Sequence, residues 1–186
     1  MNDLSAGAIV FTDIVGFTEL TELHGDDAAL RLVEAHDRLV HSVLGSRSRV
    51  VKELGDGMLL WFDTACDAVT ATLELQRRMC GTVVDTLPMW VRVGVHFGTP
   101  RRRGDDLIGR DVNLASRIAA VAAPGEVVCS SALVQQLSAE SRNAGDALPV
   151  SFASLGSVFV KGIAEPVALY RADATPRLQP ANLQTR

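Results

Sequence analysis

The chain has 186 residues, 47% hydrophobic and 22% charged, with a net charge of −4. That size suits one domain with enough apolar residues for a sizeable buried core. The acidic balance excludes a general polyanion binder, since such proteins carry a basic face, so no nucleic-acid partner is expected.

In chain order, Ala8 to Phe11 is a short apolar run that reads as a buried strand ending at Thr12-Asp13. A turn containing Gly16 leads into a helix. Asp26 to Leu44 has apolar positions at 29, 32, 33, 39, 40 and 43, the spacing of a helix with one buried stripe. Val50-Val51 and Met58 to Phe62 flank Gly55-Asp56-Gly57 and read as a β-hairpin. Thr64 to Cys80 is a predicted helix with Thr64 as its N-cap. Trp90 to Phe97 alternates, with Val91, Val93, Val95 and Phe97 on one face and Arg92, Gly94 and His96 on the other, as in a strand. Arg101 to Arg103, followed by Asp105 and Asp106, reads as a solvated loop.

Gly109 to Val121 is a predicted helix stopped by Pro124-Gly125. Val127 to Cys129 is a short strand, Ser131 to Leu137 a short helix, and Asn143 to Asp146 a loop. Phe152 to Val160 and Val167 to Tyr170 read as a closing antiparallel pair. From Asp173 on the chain is polar, contains Pro176 and Pro180, and reads as a disordered tail to residue 186 behind a domain of residues 1–172. Alternating strands and helices with at least two hairpins predict an α+β fold with a mixed sheet, not a doubly wound parallel sheet.

Cys66, Cys80 and Cys129 lack the spacing of a disulfide framework or zinc site, which fits a reducing, cytoplasmic setting. No apolar stretch reaches the roughly 20 residues of a membrane span, and the N-terminus has no signal-peptide pattern, so no membrane contact is expected.

Three segments carry chemistry. In FTDIVGFT, residues 11–18, Asp13 closes a buried strand and can hold a metal, while backbone N–H groups at the following turn can cradle phosphate. In KELGDG, residues 52–57, Asp56 lies at a hairpin tip. Taken singly, Asp13 is equally an ordinary helix cap, and Asp56 reads better as an ordinary turn residue. Together, two carboxylates on neighbouring strand ends can hold a pair of Mg²⁺ ions about 4 Å apart. In DLIGRDVNLASR, residues 106–117, Asn113 and Arg117 are four apart and share a helix face. The four histidines match no metal-site spacing, and His24, His36, His41 and His96 read as ordinary structural residues, His96 lying on the Arg92 face of its strand. Cys129, Met58 and Trp61 read as core or interface.

These motifs, with VRVGVHFG (residues 91–98) and VKG (residues 160–162), resemble the catalytic domain of the class III adenylyl and guanylyl cyclases over about Gly7 to Arg171. The resemblance implies a ferredoxin-like βαββαβ core with additional strands and helices. It implies a mixed, mostly antiparallel sheet flanked by helices, and a head-to-tail homodimer with composite sites at its interface. Asp13 and Asp56 match the metal-binding aspartates, and Ile14 the residue whose carbonyl helps ligate a metal. Phe17 and Thr18 match backbone donors to the phosphates, and Arg92 and Lys161 phosphate-contacting side chains. Lys52 and Asp106 match the base-selecting pair. Asn113 and Arg117 match the pair that holds the ribose and steadies the transition state.

The implied activity is conversion of ATP to 3′,5′-cyclic AMP and pyrophosphate with two divalent ions, Mg²⁺ or Mn²⁺. Lys52 donates and Asp106 accepts, which suits adenine, whereas guanylyl cyclases usually carry Glu and Cys or similar at these places. A guanylate cyclase and a catalytically weak regulatory domain are the alternatives. Regulatory members usually lack a site residue, and none of the six central ones is missing. A cyclic-dinucleotide synthase would show Gly-Gly-Asp/Glu in place of Gly55-Asp56-Gly57 and would leave Asn113 and Arg117 unexplained.

Overall fold

The structure, a computed structural model, describes residues 6–144 and 149–175. In chain order the elements are β1 (Gly7–Ile14), α1 (Phe17–His24), α2 (Asp26–His41), β2 (Ser48–Glu53), β3 (Gly57–Phe62), α3 (Ala65–Met79), β4 (Val83–Val84), β5 (Leu87–Pro88), β6 (Val91–Gly98), β7 (Arg101–Arg103), β8 (Asp106–Ile108), α4 (Arg110–Val121), β9 (Val127–Ser130), α5 (Ser131–Ala144), β10 (Val150–Val158) and β11 (Val167–Ala174).

Seven strands form one sheet in the order β10-β11-β9-β6-β1-β3-β2. Among the described residues its one parallel pair is β6 with β9, which the β7–β8 segment and α4 connect. The segment β6-β1-β3-β2, with helices between β1 and β2 and between β3 and β6, is a βαββαβ core in ferredoxin-like order. The remaining strands extend that sheet beyond β6.

Side-chain alternation decides which layer each residue joins. Ala8, Val10 and Ile14 of β1, Met58, Leu60 and Phe62 of β3, and Val91, Val93 and Val95 of β6 pack with α2, α3 and α5. Ile9, Leu59 and Trp61 face the other way, towards Ala115 of α4. α4 can lie close because the β6 position beneath it is glycine: a Cβ on Gly94 would sit 2.2 Å from the Ala119 nitrogen. β3 is buried along its whole length, which explains its continuous apolar run. The cap at α3 forms as expected, with Asp67 N–H donating to Thr64 Oγ1 at 3.0 Å.

Three expectations are corrected and one hairpin is added. Arg101–Arg103 is not a loop but one strand of a hairpin, with Arg103 opposite Asp106; its arginines are exposed, so no apolar alternation marks it. The β4–β5 hairpin, with Val83 opposite Pro88, was not anticipated. α5 runs on to Ala144, past the expected loop start at Asn143; the rest of that loop prediction mostly lies outside the described residues. β11 continues past the expected domain end, with Asp173 opposite Ser151 and Ala174 opposite Val150, held by sheet pairing despite its polar composition. The remainder of the expected tail, residues 176–186, lies outside the described residues. Among the described residues no helix is long and apolar enough to cross a membrane.

Candidate functional site

Asp13 lies near the C-terminal end of β1, on the α4 side of the sheet. Its register partners are Gly57 on β3 and Arg92 on β6. Arg92 Nε donates to Asp13 Oδ2 at 2.6 Å, and both side chains are partly exposed. Asp56 precedes β3, and Ile14 N–H donates to its carbonyl at 2.9 Å, so the two aspartates are held at adjoining strand ends. Ile14 itself is buried. Burial pushes the Asp56 carboxyl above its usual range; the neighbouring Asp13 charge adds to this, while Arg92 opposes it.

Burial, with a second carboxylate nearby, discourages Asp56 from ionising, so a positive charge would be favoured beside the pair. Among the described residues no cluster of three or more His, Cys, Asp or Glu side chains could cage a metal. Two carboxylates with few other protein ligands suit Mg²⁺ or Mn²⁺, which keep positions for water and phosphate, so the donor set fits divalent cations.

Gly16 has a φ of 71°, the left-handed turn that swings the chain from β1 into α1. The first intrahelical bond there runs from Leu20 N–H to Gly16 O. The N–H groups of Phe17 and Thr18 therefore belong to the unsatisfied, electropositive start of α1, next to Asp13.

A pocket of about 220 Å³ opens here, lined by Phe11, Asp13, Leu54, Arg92, Ser116 and Arg117 among others. Arg117 thus borders the Asp13 pocket of its own chain. Asn113 and Arg117 are both exposed, one turn apart on α4. Lys52 and Asp106 meet from β2 and β8, with Nζ 3.0 Å from Oδ2. The Lys52 ammonium holds the Asp106 carboxyl below its usual range. A bulge in β2 between Val50 and Lys52 precedes this contact. Lys161 is exposed in the connection after β10, and it does not border the Asp13 pocket. A larger concavity of about 390 Å³, between the α2–β2 connection and α3, holds none of these residues.

Two histidines read as unremarkable in sequence are buried polar groups. His96 Nδ1 lies 2.8 Å from Ser130 Oγ, and its Nε2 lies 3.6 Å from Asp111 in the first turn of α4. This Ser-His-Asp grouping is closed to substrate, because Ser130 is only 1% exposed. It ties α4 to β6 and β9. His36 Nε2 lies 3.1 Å from Thr12 Oγ1. Burial pushes both imidazoles below their ordinary value of 6.5, against the opposing pull of Asp37 and Asp13 on His36 and of Asp111 on His96, where Arg110 adds to the lowering. The unfolded chain then binds more protons than the folded one. The stability they confer is present above 6.5 and is lost as pH falls below that value towards the depressed folded values. The melting temperature is expected to be lower at about pH 5.5 than at about pH 7.5, with a smaller difference in His96→Gln. Equal melting temperatures at the two pH values would contradict this.

Burial also pushes the Cys129 thiol far up, in keeping with its core position. Met58 and Trp61 are likewise buried.

A family model described as the adenylate and guanylate cyclase catalytic domain matches residues 2–171. An adenylate cyclase of Streptomyces coelicolor is 37% identical over 131 residues, covering 70% of this chain and 34% of that protein. The matched region spans between 17% and 44% of the length of curated relatives such as these. The structure of a Trypanosoma brucei adenylate cyclase in its monomeric state superposes with a TM-score of 0.78 at 26% identity, covering 92% of this chain and 91% of that one. The guanylate cyclase domain of RhGC from Catenaria anguillulae, in complex with GTP, reaches the same TM-score of 0.78 at 19% identity, covering 94% of this chain and 100% of that one. The fold alone therefore does not separate ATP from GTP.

Proposed function

Because the chain belongs to the adenylate and guanylate cyclase catalytic domain family, we propose that it converts ATP to 3′,5′-cyclic AMP and pyrophosphate at sites shared by two copies of the chain. The observation that carries the choice of ATP is the contact between Lys52 and Asp106, 54 residues apart in sequence and 3.0 Å apart in space. Adenine presents an acceptor at N1 and a donor at its amino group, which Lys52 and Asp106 can satisfy. Guanine presents the reverse, and each unsatisfied buried group costs about 1–3 kcal/mol. In the free chain the two side chains satisfy each other. They are 53% and 36% exposed, so their ion pair is worth about 1 kcal/mol or less and opens readily for a base.

The ribose 3′-oxygen attacks the α-phosphorus, the bond to the β-phosphate oxygen breaks, and the hydroxyl proton leaves to solvent. Asp13, Asp56 and the Ile14 carbonyl would hold two divalent cations, Mg²⁺ or Mn²⁺, which when bound lower the 3′-hydroxyl pKa and neutralise the leaving charge. Arg92 can exchange Asp13 for phosphate oxygens. Phe17 and Thr18 offer backbone donors to the triphosphate, and Lys161 a further cation. Asn113 orients the ribose for in-line attack, and Arg117 places fixed positive charge where negative charge grows.

Sharing between copies is supported by size. The pocket beside Asp13 is about 220 Å³ in one chain, below the roughly 300–1,000 Å³ of ordinary small-molecule sites. A second copy would supply the missing wall, with Lys52, Asp106, Asn113 and Arg117.

The test is turnover of ATP and GTP with Mn²⁺ over a range of protein concentration. ATP is expected to be preferred in kcat/KM by about a hundredfold or more. Specific activity is expected to rise with concentration as dimers form. Preferred GTP turnover would overturn the Lys52–Asp106 argument.

A further inference from the structure

Among the buried residues of α2, His36 is the only polar one; the others are Ala28, Ala29, Leu32, Ala35 and Val40. An apolar residue would complete that stripe, so the imidazole needs a reason to be there. Its Nε2 lies 3.1 Å from the hydroxyl of Thr12, which is itself 2% exposed. The same hydroxyl accepts a hydrogen bond from Met58 N–H at 3.1 Å. Thr12 and Met58 are register partners on β1 and β3.

The direction of this chain of bonds follows from its ends. Asp37 Oδ1 lies 3.5 Å from Nδ1 of His36 and favours the proton there. Nε2 is then left to accept the Thr12 O–H, while a lone pair of Thr12 takes the Met58 N–H. Every member is satisfied, and the three groups link α2, β1 and β3 at one point.

That point lies directly behind the candidate site. Asp13 follows Thr12 and Asp56 lies two residues before Met58. The next register pair is Asp13 with Gly57, and Ile14 N–H bonds to Asp56 O. Side chains alternate along β1, so Thr12 faces the helices while Asp13 faces the pocket.

We propose that His36 is a positioning residue: through the Thr12 hydroxyl it locks the ends of β1 and β3, and so sets the spacing of Asp13 and Asp56 for divalent cations. This rests on the reading of those aspartates as the metal-holding pair. Groups that orient metal ligands commonly govern affinity by about 10–100-fold, because ligand placement tolerates little error.

The test measures Mn²⁺ binding by the electron paramagnetic resonance of free Mn²⁺, with the 186-residue chain and α,β-methylene-ATP, alongside steady-state kinetics. Thr12→Val keeps the shape and removes the hydroxyl. It is expected to weaken Mn²⁺ binding about tenfold and lower kcat in step, with the KM for ATP within about twofold. His36→Gln, whose side-chain oxygen can take the place of Nε2, is expected to stay near wild type. His36→Asn, too short to reach Thr12, is expected to behave like Thr12→Val, and this pair serves if Thr12→Val does not fold. Variants that melt earlier yet bind Mn²⁺ as wild type does would show a merely structural role and overturn the proposal. Asp13→Ala is the control. If it binds Mn²⁺ as tightly as wild type, the metal-site reading fails and the proposal with it; if it loses Mn²⁺ while Thr12→Val and His36→Asn do not, only the proposal fails.

Discussion

Asp13→Ala is expected to lower cyclic AMP formation by at least about 10²–10³-fold, in either Mg²⁺ or Mn²⁺, while leaving the fold intact. The activity loss follows from placement. Asp13 accepts a hydrogen bond from Arg92, it borders the pocket, and its charge acts on Asp56. Alanine would remove one of the two carboxylates proposed to hold metal and leave a guanidinium beside the other. The fold is expected to survive because the Asp13 side chain is 29% exposed and faces away from the main apolar cluster. Two electrostatic changes also oppose each other: the Arg92 pair is lost, and the repulsion on Asp56 is relieved. Cyclic AMP is read by chromatography and folding by thermal melting. A variant as active as wild type, with the same melting temperature, would remove Asp13 from the mechanism. Wild-type protein with no activity above the variant would instead favour a regulatory domain.

The sheet centre was legible because β1, β3 and β6 carry strong local patterns. Val91, Val93 and Val95 alternate with Arg92, Gly94 and His96, and the structure places the two sets on opposite faces. Thr64 and Asp67 announce the start of α3 and make the expected cap. The small hairpins were not legible. β4 and β5 have two residues each, and their turn places Asp85 and Thr86, neither of them glycine, at φ values of 48° and 74°. Sequence reading looks for Asn-Gly or Asp-Gly at such a turn. β7 is three exposed arginines, which read as solvated charge whether or not they pair.

The site divides in the same way. Asp13 closes an apolar strand just before a glycine-bearing turn and Asp56 stands in such a turn beside an apolar run, a local signal. That Lys52 meets Asp106 is a tertiary fact, reached from the sequence only through family resemblance, and the structure brings the two together. The His36–Thr12 contact spans 24 residues between a helix and a strand. The one available sign was a polar residue within an otherwise apolar helical stripe, which alone does not reveal a partner.

Whether Arg117 serves the Asp13 of its own chain or of a second copy has a large and directional consequence. It borders the pocket of its own Asp13, so proximity within one chain is not enough to decide. Asp13→Ala and Arg117→Ala should each be nearly inactive alone. If sites are shared, a mixed dimer holds one site in which both defects coincide and one in which neither is present. Random exchange of equal amounts makes half the dimers mixed, so the mixture should recover about a quarter of wild-type activity. If each site lies within one chain, every site in the mixture keeps one defect, and activity stays at the level of the variants. Subunit exchange is verified independently by size-tagged copies, so that a silent mixture has one meaning. Recovery near a quarter also requires that the intact site work beside a dead one. A recovery well above a quarter would mean that the wild-type dimer does not run both sites at once, and a demonstrated mixture with no recovery would place Arg117 and Asp13 in the same chain's site.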